Sequence, residues 1–173
     1  NPYPDFTFGM NNSFSFQRFD LNIILYGQSG GHVVNGLRQT VDNLQGFFNV
    51  SQDWVNRWRS PQQPGDGIHS GVITNTPSLG HRFSTLWVED ASFLRIGNVT
   101  LGYNIPEKWM KASHFISNAR IYFTIQNLAT FTKYSGGNPQ GQSESQTNVL
   151  NPGFDMTSYP LSRITSFGIN LSF

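Results

Sequence analysis

The strongest constraint on this chain is an alternation of period two. In the stretch 162–173, SRITSFGINLSF, Thr165, Phe167, Ile169, Leu171 and Phe173 fall on one side. Ile164, Ser166, Gly168, Asn170 and Ser172 fall on the other. Successive side chains of a strand point to opposite faces, so this stretch predicts a strand with one apolar and one small, polar face. The same pattern opens the chain. Over 6–17, Phe6, Phe8, Met10, Phe14 and Phe16 oppose Thr7, Gly9, Asn11, Ser13 and Ser15. After a polar turn at Gln17-Arg18, the stretch 19–27 sets Phe19, Leu21, Ile23 and Leu25 against Asp20, Asn22 and Tyr26, with Ile24 as a mild exception. Two more strands are predicted at 92–104 and 119–132. In the first, Val99, Leu101 and Tyr103 alternate cleanly, but Leu94 and Ile96 have the opposite parity. A bulge near Gly97 reconciles the halves. In the second, Ile121, Phe123 and Ile125 oppose Arg120, Tyr122, Thr124 and Gln126.

Of these five strands the first alternates over a length suited to a tilted membrane strand, about 9–11 residues. Their connections are unequal. If every strand reverses direction, the two long loops, 28–84 and 133–161, lie on one side. The short turn, the connector before 119 and the C-terminal end lie on the other. Outer-membrane barrels have that asymmetry, with short periplasmic turns and long extracellular loops. Five strands leave two unpaired edges, which hydrocarbon does not tolerate, so the pattern predicts a segment of a larger closed barrel. Within 28–84, Gly30-Gly31, Pro61, Pro64, Gly65 and Gly67 interrupt any regular element. Helical character is predicted at 37–44 and at 53–59, the latter placing Trp54 and Trp58 on one helical face. Pro106 suits the first position of a single helical turn to Lys111. Asn1-Pro2-Tyr3-Pro4 reads as the middle of a loop, with no signal-peptide features. The bare aromatic Phe173 reads as an embedded residue, since free termini are usually frayed.

Composition narrows the function classes. Charged residues make up 12% of the chain, about half of the roughly 25% usual in soluble domains. The net charge of +1 argues against nucleic acid, which asks for a basic face. There is no cysteine, which excludes disulfides and thiolate metal sites. No run approaches the roughly 20 apolar residues of a membrane helix. Mean hydropathy is negative, but that average is blind to alternating strands.

Candidate sites are few. His32, His69, His81 and His114 are scattered without metal-ligand spacing, so no metal site is expected. No G-x-S-x-G elbow occurs, and Gly65-Asp66-Gly67 lacks a phosphate-loop lysine. Glu89-Asp90 suits capping or loop fixing better than acid–base chemistry. Trp54 and Trp58 are candidates for stacking on a sugar ring or a peptide side chain, or for touching a lid; packing within the loop is the plainer reading. Tyr134 and Asn138, just past a strand top, are candidates of the same kind. Arg95 is placed toward a lumen or an upper rim, where a lumenal arginine could contact an anionic substrate; ion pairing with a neighbouring strand or the plug is the plainer reading. Arg120 and Arg163 begin their strands, near interfaces, where a charge costs less than the 2–4 kcal/mol of the midplane.

Four stretches, in order, carry a family resemblance: NPYPDFTFGMNNSFSFQRFDLNIILYGQSG, WVEDASFLRIGNVTLGYNIPEKW, ARIYFTIQNLATFTKYSGGNPQ and NPGFDMTSYPLSRITSFGINLSF. They resemble the SusC/RagA family of TonB-dependent outer-membrane transporters, and only the loop 29–84 is unmatched. The resemblance implies an all-β fold: the last five strands of a plugged transmembrane antiparallel barrel of about 22 strands. It implies that 1–173 is the C-terminal portion of the barrel, with plug and TonB-contacting segment elsewhere in the polypeptide. It implies import of glycans or peptides across the outer membrane of Bacteroidetes-type bacteria, under a SusD-like surface lipoprotein. No cofactor, catalysis or nucleic acid is implied. Phe167, Ile169, Leu171 and Phe173 then face lipid and resemble the signal read by the barrel-assembly machinery. Tyr103 and Phe173 lie in the periplasmic aromatic girdle. The chain departs from the family at Gly136-Gly137-Asn138-Pro139-Gln140, where members often have GYDPE. Two carboxylates have become amides, so an ionic contact made there by other members does not carry over. Two rival readings are a soluble carbohydrate-binding β-sandwich, with Trp54, Trp58 and Trp87 as platforms, and a secreted β-fold glycosidase. Dependence on detergent separates the barrel from both, and glycan hydrolysis singles out the last.

Overall fold

A computed structural model describes residues 1–42, 49–69, 71, 84–110, 115–140, 152–156 and 158–173. Its elements are β1 (Phe6–Phe16), β2 (Phe19–Ser29), β3 (His32–Asn35), α1 (Gly36–Val41), β4 (Val88–Asp90), β5 (Phe93–Asn104), α2 (Glu107–Met110), β6 (Asn118–Thr132), β7 (Phe154–Asp155) and β8 (Ile164–Ser172). The long strands form one five-stranded sheet in the order β1-β2-β5-β6-β8. Each neighbouring pair is antiparallel. The β1–β2 turn is the two-residue Gln17-Arg18, with Gln17 at φ 54°, the positive φ that hairpin turns of this length require.

Register sorts the side chains into rows. Phe14, Leu21, Leu101, Phe123 and Phe167 are successive cross-strand partners. One step along, Phe16, Phe19, Tyr103, Ile121 and Ile169 repeat the pattern. Sequence parity changes within β5, and the register shifts there: Ile24 pairs with Asn98 but Leu25 with Ile96, leaving Gly97 as the extra residue. This bulge keeps Leu94 and Ile96 on the apolar side, since one inserted residue restores the alternation. A second irregularity faces it on β6, where Asn127 has φ 51°. The apolar face has no covering layer: Phe14, Leu101, Phe123, Phe167 and Ile169 are exposed.

On the other face polar rows run across the sheet. Arg120 reaches Asp20 across the intervening strand, with Nε 3.0 Å from Oδ1 and Nη2 paired to Oδ2. The strand between carries Gly102 at the crossing, and a Cβ there would overlap both side chains. Next to it, the Tyr122 ring lies over Gly168 in the same way. Glycine at these positions is room for the neighbour's side chain.

The stretches 28–84 and 133–161, expected as loops, contribute β3 and β7 to a second sheet, β4-β3-β7, whose third strand β4 lies just before β5. Val34 of β3 pairs in parallel with Phe154 of β7, a contact between distant segments that local sequence cannot announce. Beneath it Val33, Ala91 and Tyr134 form a small buried core. Glu89 is the tie. It accepts from Asn35 Nδ2 at 3.2 Å, Arg38 Nη1 at 3.2 Å, Ser135 N at 2.8 Å and Ser135 Oγ at 2.8 Å. Burial opposes the Glu89 charge, but these bonds together outweigh it and hold the carboxyl below its usual range. Asp90 accepts from the Ser92 hydroxyl at 2.6 Å and N–H at 2.8 Å and is likewise held low.

The helix expected at 53–59 is shorter. A 3₁₀ turn covers Gln52–Asn56, and Arg57 is already extended at ψ 160°. Beyond it the backbone turns back, with Asp66 N on Asn56 O at 2.9 Å, Trp58 N on His69 O at 2.9 Å and Gly65 at φ 71°. Those cross-loop bonds, arranged around Pro61 and Pro64, compete successfully with a longer helix. Trp54 and Trp58 therefore do not share a helical face. The stretch 37–44 is helical as α1 to Val41; residues 43–44 lie outside the described part.

Two outcomes are expected. Replacing Gly102 by leucine forces Asp20 and Arg120 apart and lowers stability by about 1–3 kcal/mol, read as a lower thermal midpoint. Because folding lowers the Glu89 pKa, its contribution is complete above the ordinary glutamate value and lost as pH falls through the folded-state value. Limited proteolysis of the rim is therefore expected to accelerate below about pH 4, and Glu89→Gln to show the fast rate already at pH 7. Equal rates for variant and parent at pH 7 exclude this role.

Candidate functional site

The polar face is built from short side chains. Asn22 Nδ2 donates to Asn11 Oδ1 at 2.8 Å and Ser13 Oγ at 2.9 Å. Thr100 and Thr124 hydroxyls lie 3.0 Å apart. An open concavity of about 480 Å³ lies on this face, lined among others by Asn98, Arg120, Tyr122, Gln126 and Asn170. Asn98 Oδ1 is buried there without a hydrogen-bond partner among the described residues. The surface offers hydroxyls, amides, one aromatic ring and one compensated ion pair. It suits hydrated, hydrogen-bonding molecules or a polar protein surface. Among the described residues no group of three metal-ligating side chains gathers.

Above this face the rim begins at Arg95. The guanidinium is 2% exposed. Nε donates to Thr130 Oγ1 at 2.8 Å, Nη1 to Gln140 Oε1 at 2.7 Å and to Tyr26 OH at 3.3 Å, and Nη2 to Asn138 Oδ1 at 3.0 Å. Its carbon lies 5.0 Å from the Phe93 ring centre and 5.7 Å from that of Tyr26. Of the ion pairing expected for Arg95, the part that a neighbouring strand would supply is not formed among the described residues, where neutral acceptors hold the guanidinium. The physical reason lies in the local sequence, where amides stand at both positions that reach it.

The proposed contact residues fall in three places. Asn138 belongs to the Arg95 cluster. Tyr134 is buried under the rim sheet, and its hydroxyl donates to Asp155 Oδ2 at 2.5 Å. Burial first, then that bond, raise its pKa, so it is a neutral donor. Trp54 packs edge-on against His69, ring centres 5.2 Å apart, while Trp58 is exposed. His69 Nδ1 lies 2.6 Å from Asp66 Oδ2, and the backbone N–H groups of His69 and Ile68 chiefly hold the Asp66 carboxyl down to about 2. Tyr103 stacks on Phe19 at 4.8 Å. Phe167, Ile169, Leu171 and Phe173 all lie exposed along one side of the last strand. What single residues did not signal is the cluster around Arg95 and the tie at Glu89. Both assemble from segments far apart in sequence, and only the pairing of Asn138 with Gln140 at i, i+2 hinted at the first.

Comparison with known proteins places this arrangement. No family model matches the chain. It is 32% identical over 177 residues to TonB-dependent receptor P3 of Formosa agariphila, covering 100% of this chain and 17% of the relative. It is 26% identical over 172 residues to TonB-dependent receptor SusC of Bacteroides thetaiotaomicron, covering 99% of this chain and 15% of the relative. Among solved structures, the RagAB peptide importer in its closed-closed state superimposes with a TM-score of 0.77 at 28% identity, over 99% of this chain and 17% of that one. The chain thus spans about one sixth of the length of these relatives. An antiparallel sheet with one bare apolar face, and likeness along its whole length to one part of such proteins, make the chain a barrel segment of a SusC/RagA-like TonB-dependent transporter.

Proposed function

We propose that the chain is a length of barrel wall in a TonB-dependent importer of the outer membrane, at the C-terminal end of the barrel. The observation that carries this is the segregation of the long sheet into an uncovered apolar face and a polar face. Lipid is the medium that satisfies the first, and a hydrated lumen the second. No helix among the described residues is long and apolar enough to cross a membrane, so the strands are the spanning elements of this reading. Phe167, Ile169, Leu171 and Phe173 then meet lipid, with Tyr103 near the periplasmic interface, and the last strand presents the barrel-assembly signal. The rim sheet lies outside, formed by β3 and β7 of the two long extracellular loops and by β4 just before β5.

The whole transporter takes up a glycan or a peptide beneath a SusD-like lipoprotein lid. The peptide importer RagAB, among the solved structures, supports both the lid and the transport role. TonB acts through the plug, which belongs to other parts of the polypeptide. This wall contributes surface and shape, and no covalent step. The β-sandwich alternative loses its support because the second sheet, with strands as short as Phe154–Asp155, leaves the apolar face exposed.

Two experiments test the reading. In the full transporter, Val99→Arg, midway along β5 between Arg95 at the rim and Tyr103 near the periplasmic interface, is expected to cost about 2–4 kcal/mol. Thr100→Lys, one position away on the polar face, is expected to assemble almost normally. Heat-modifiable mobility of the outer-membrane fraction reads both, and equal tolerance of the two charges contradicts the assignment of faces. Uptake of labelled oligosaccharides or peptides by cells is expected to vanish on deletion of TonB, and uptake that persists rules out the importer role.

A further inference from the structure

Arg95 is a buried cation with no counter-charge among the described residues. Arg38 and Arg120 each meet a carboxylate. Arg95 has only a hydroxyl, a phenol and two amides. A guanidinium does not lose its proton in a protein, so the charge persists, and a buried charge is unfavourable until an opposite charge is brought near. The bonds described use four of its five N–H groups, and one on Nη2 remains. The Thr130 hydroxyl, accepting from Nε, keeps its own proton to donate.

Beside this group is a cavity of about 380 Å³, lined by Arg95, Arg163, Thr130, Gly136, Gly137 and neighbouring residues. Among the described residues no acidic side chain lines it. The two arginines and the free hydroxyl proton, with no carboxylate among those residues, give a positive potential focused in a concave, partly apolar space. The amides sharpen the point. Asn138 and Gln140 are near-isosteric with aspartate and glutamate and already touch the guanidinium, so either could neutralise it in place. The chain instead keeps both neutral and leaves the charge available.

We propose that this cavity binds an anionic group, a sulfate or a carboxylate, carried by the molecule the transporter imports. The proposal rests on the importer reading for the origin of the anion, and on the cavity alone for its binding. The anion takes the remaining Nη2 proton of Arg95, the Thr130 hydroxyl and the Arg163 guanidinium. Charge-assisted bonds of this kind are about twice as strong as neutral ones.

The test uses the full-length transporter purified in detergent, with inorganic sulfate as the probe and chloride at matched ionic strength as the control. Sulfate is expected to raise the thermal midpoint saturably in the parent protein. Gln140→Glu and Asn138→Asp keep Arg95 but supply an internal carboxylate, and each is expected to weaken sulfate binding by about tenfold or more. Arg95→Gln is expected to abolish it. A parent protein that responds to sulfate no more than to chloride, or a Gln140→Glu variant that responds as strongly as the parent, overturns the site. Glucose 6-sulfate, but not glucose, is expected to reproduce the shift; if it does not, the assignment to cargo falls while the anion site stands. Loss of TonB-dependent uptake is read separately in cells, so failure of the importer reading is distinguishable from failure of this one.

Discussion

Everything in this chain depends on the antiparallel ladder that joins its five long strands. Inter-strand hydrogen bonds satisfy the backbone within the sheet, which is the condition for a strand to exist in a non-aqueous medium. The ladder also sets register, and register decides which side chains share a face. A slip of one residue would exchange Phe14, Leu101 and Phe167 for Ser13, Thr100 and Ser166. The bulge at Gly97 shows how closely the alternation is kept: the extra residue lies where sequence parity changes. Because the apolar face packs on no second layer, the usual core is missing, and the small cluster of Val33, Ala91 and Tyr134 lies at the rim instead.

The rim is held by polar chemistry where the wall is held by the ladder. Glu89 gathers segments near residues 35, 38 and 135 through charge-assisted bonds, and Asp155 receives the Tyr134 hydroxyl. Both carboxylates fix the approach of loops. Arg95 stands between the two regimes, its side chain on the polar face of the wall and its partners in the rim. Its neutral environment sets it apart from Arg120, whose charge Asp20 compensates.

Much of the wall was legible in sequence because period-two alternation is a local property. The bare faces of 6–17, 19–27 and 162–173 could be read residue by residue, and the change of parity between Ile96 and Val99 already demanded an extra residue. The rim was less legible for the same reason. Its strands are two to four residues long, too short for any period, and they pair with partners far away in sequence, as Val34 does with Val88 and with Phe154. The helix expected at 53–59 shows the limit of spacing arguments: Trp54 and Trp58 stand four apart, yet cross-loop backbone bonds around two prolines override that cue. Arg95 was noticed as a charge out of place, but the identity of its partners came from the fold.

The parallel pairing of Val34 with Phe154 also sets an order of events. Val34 also belongs to the antiparallel pair with β4, and Phe154 is far more distant from it in sequence than Val88 is. The β3–β4 pair can therefore form first, and the rim sheet gains its third strand only when the segment around Phe154 is brought to it. Contacts of such long sequence separation carry the largest loop-closure cost and form late. The rim thus acts as a clasp between distant segments: it cannot fasten until the stretch that carries Phe154 has been brought back to β3.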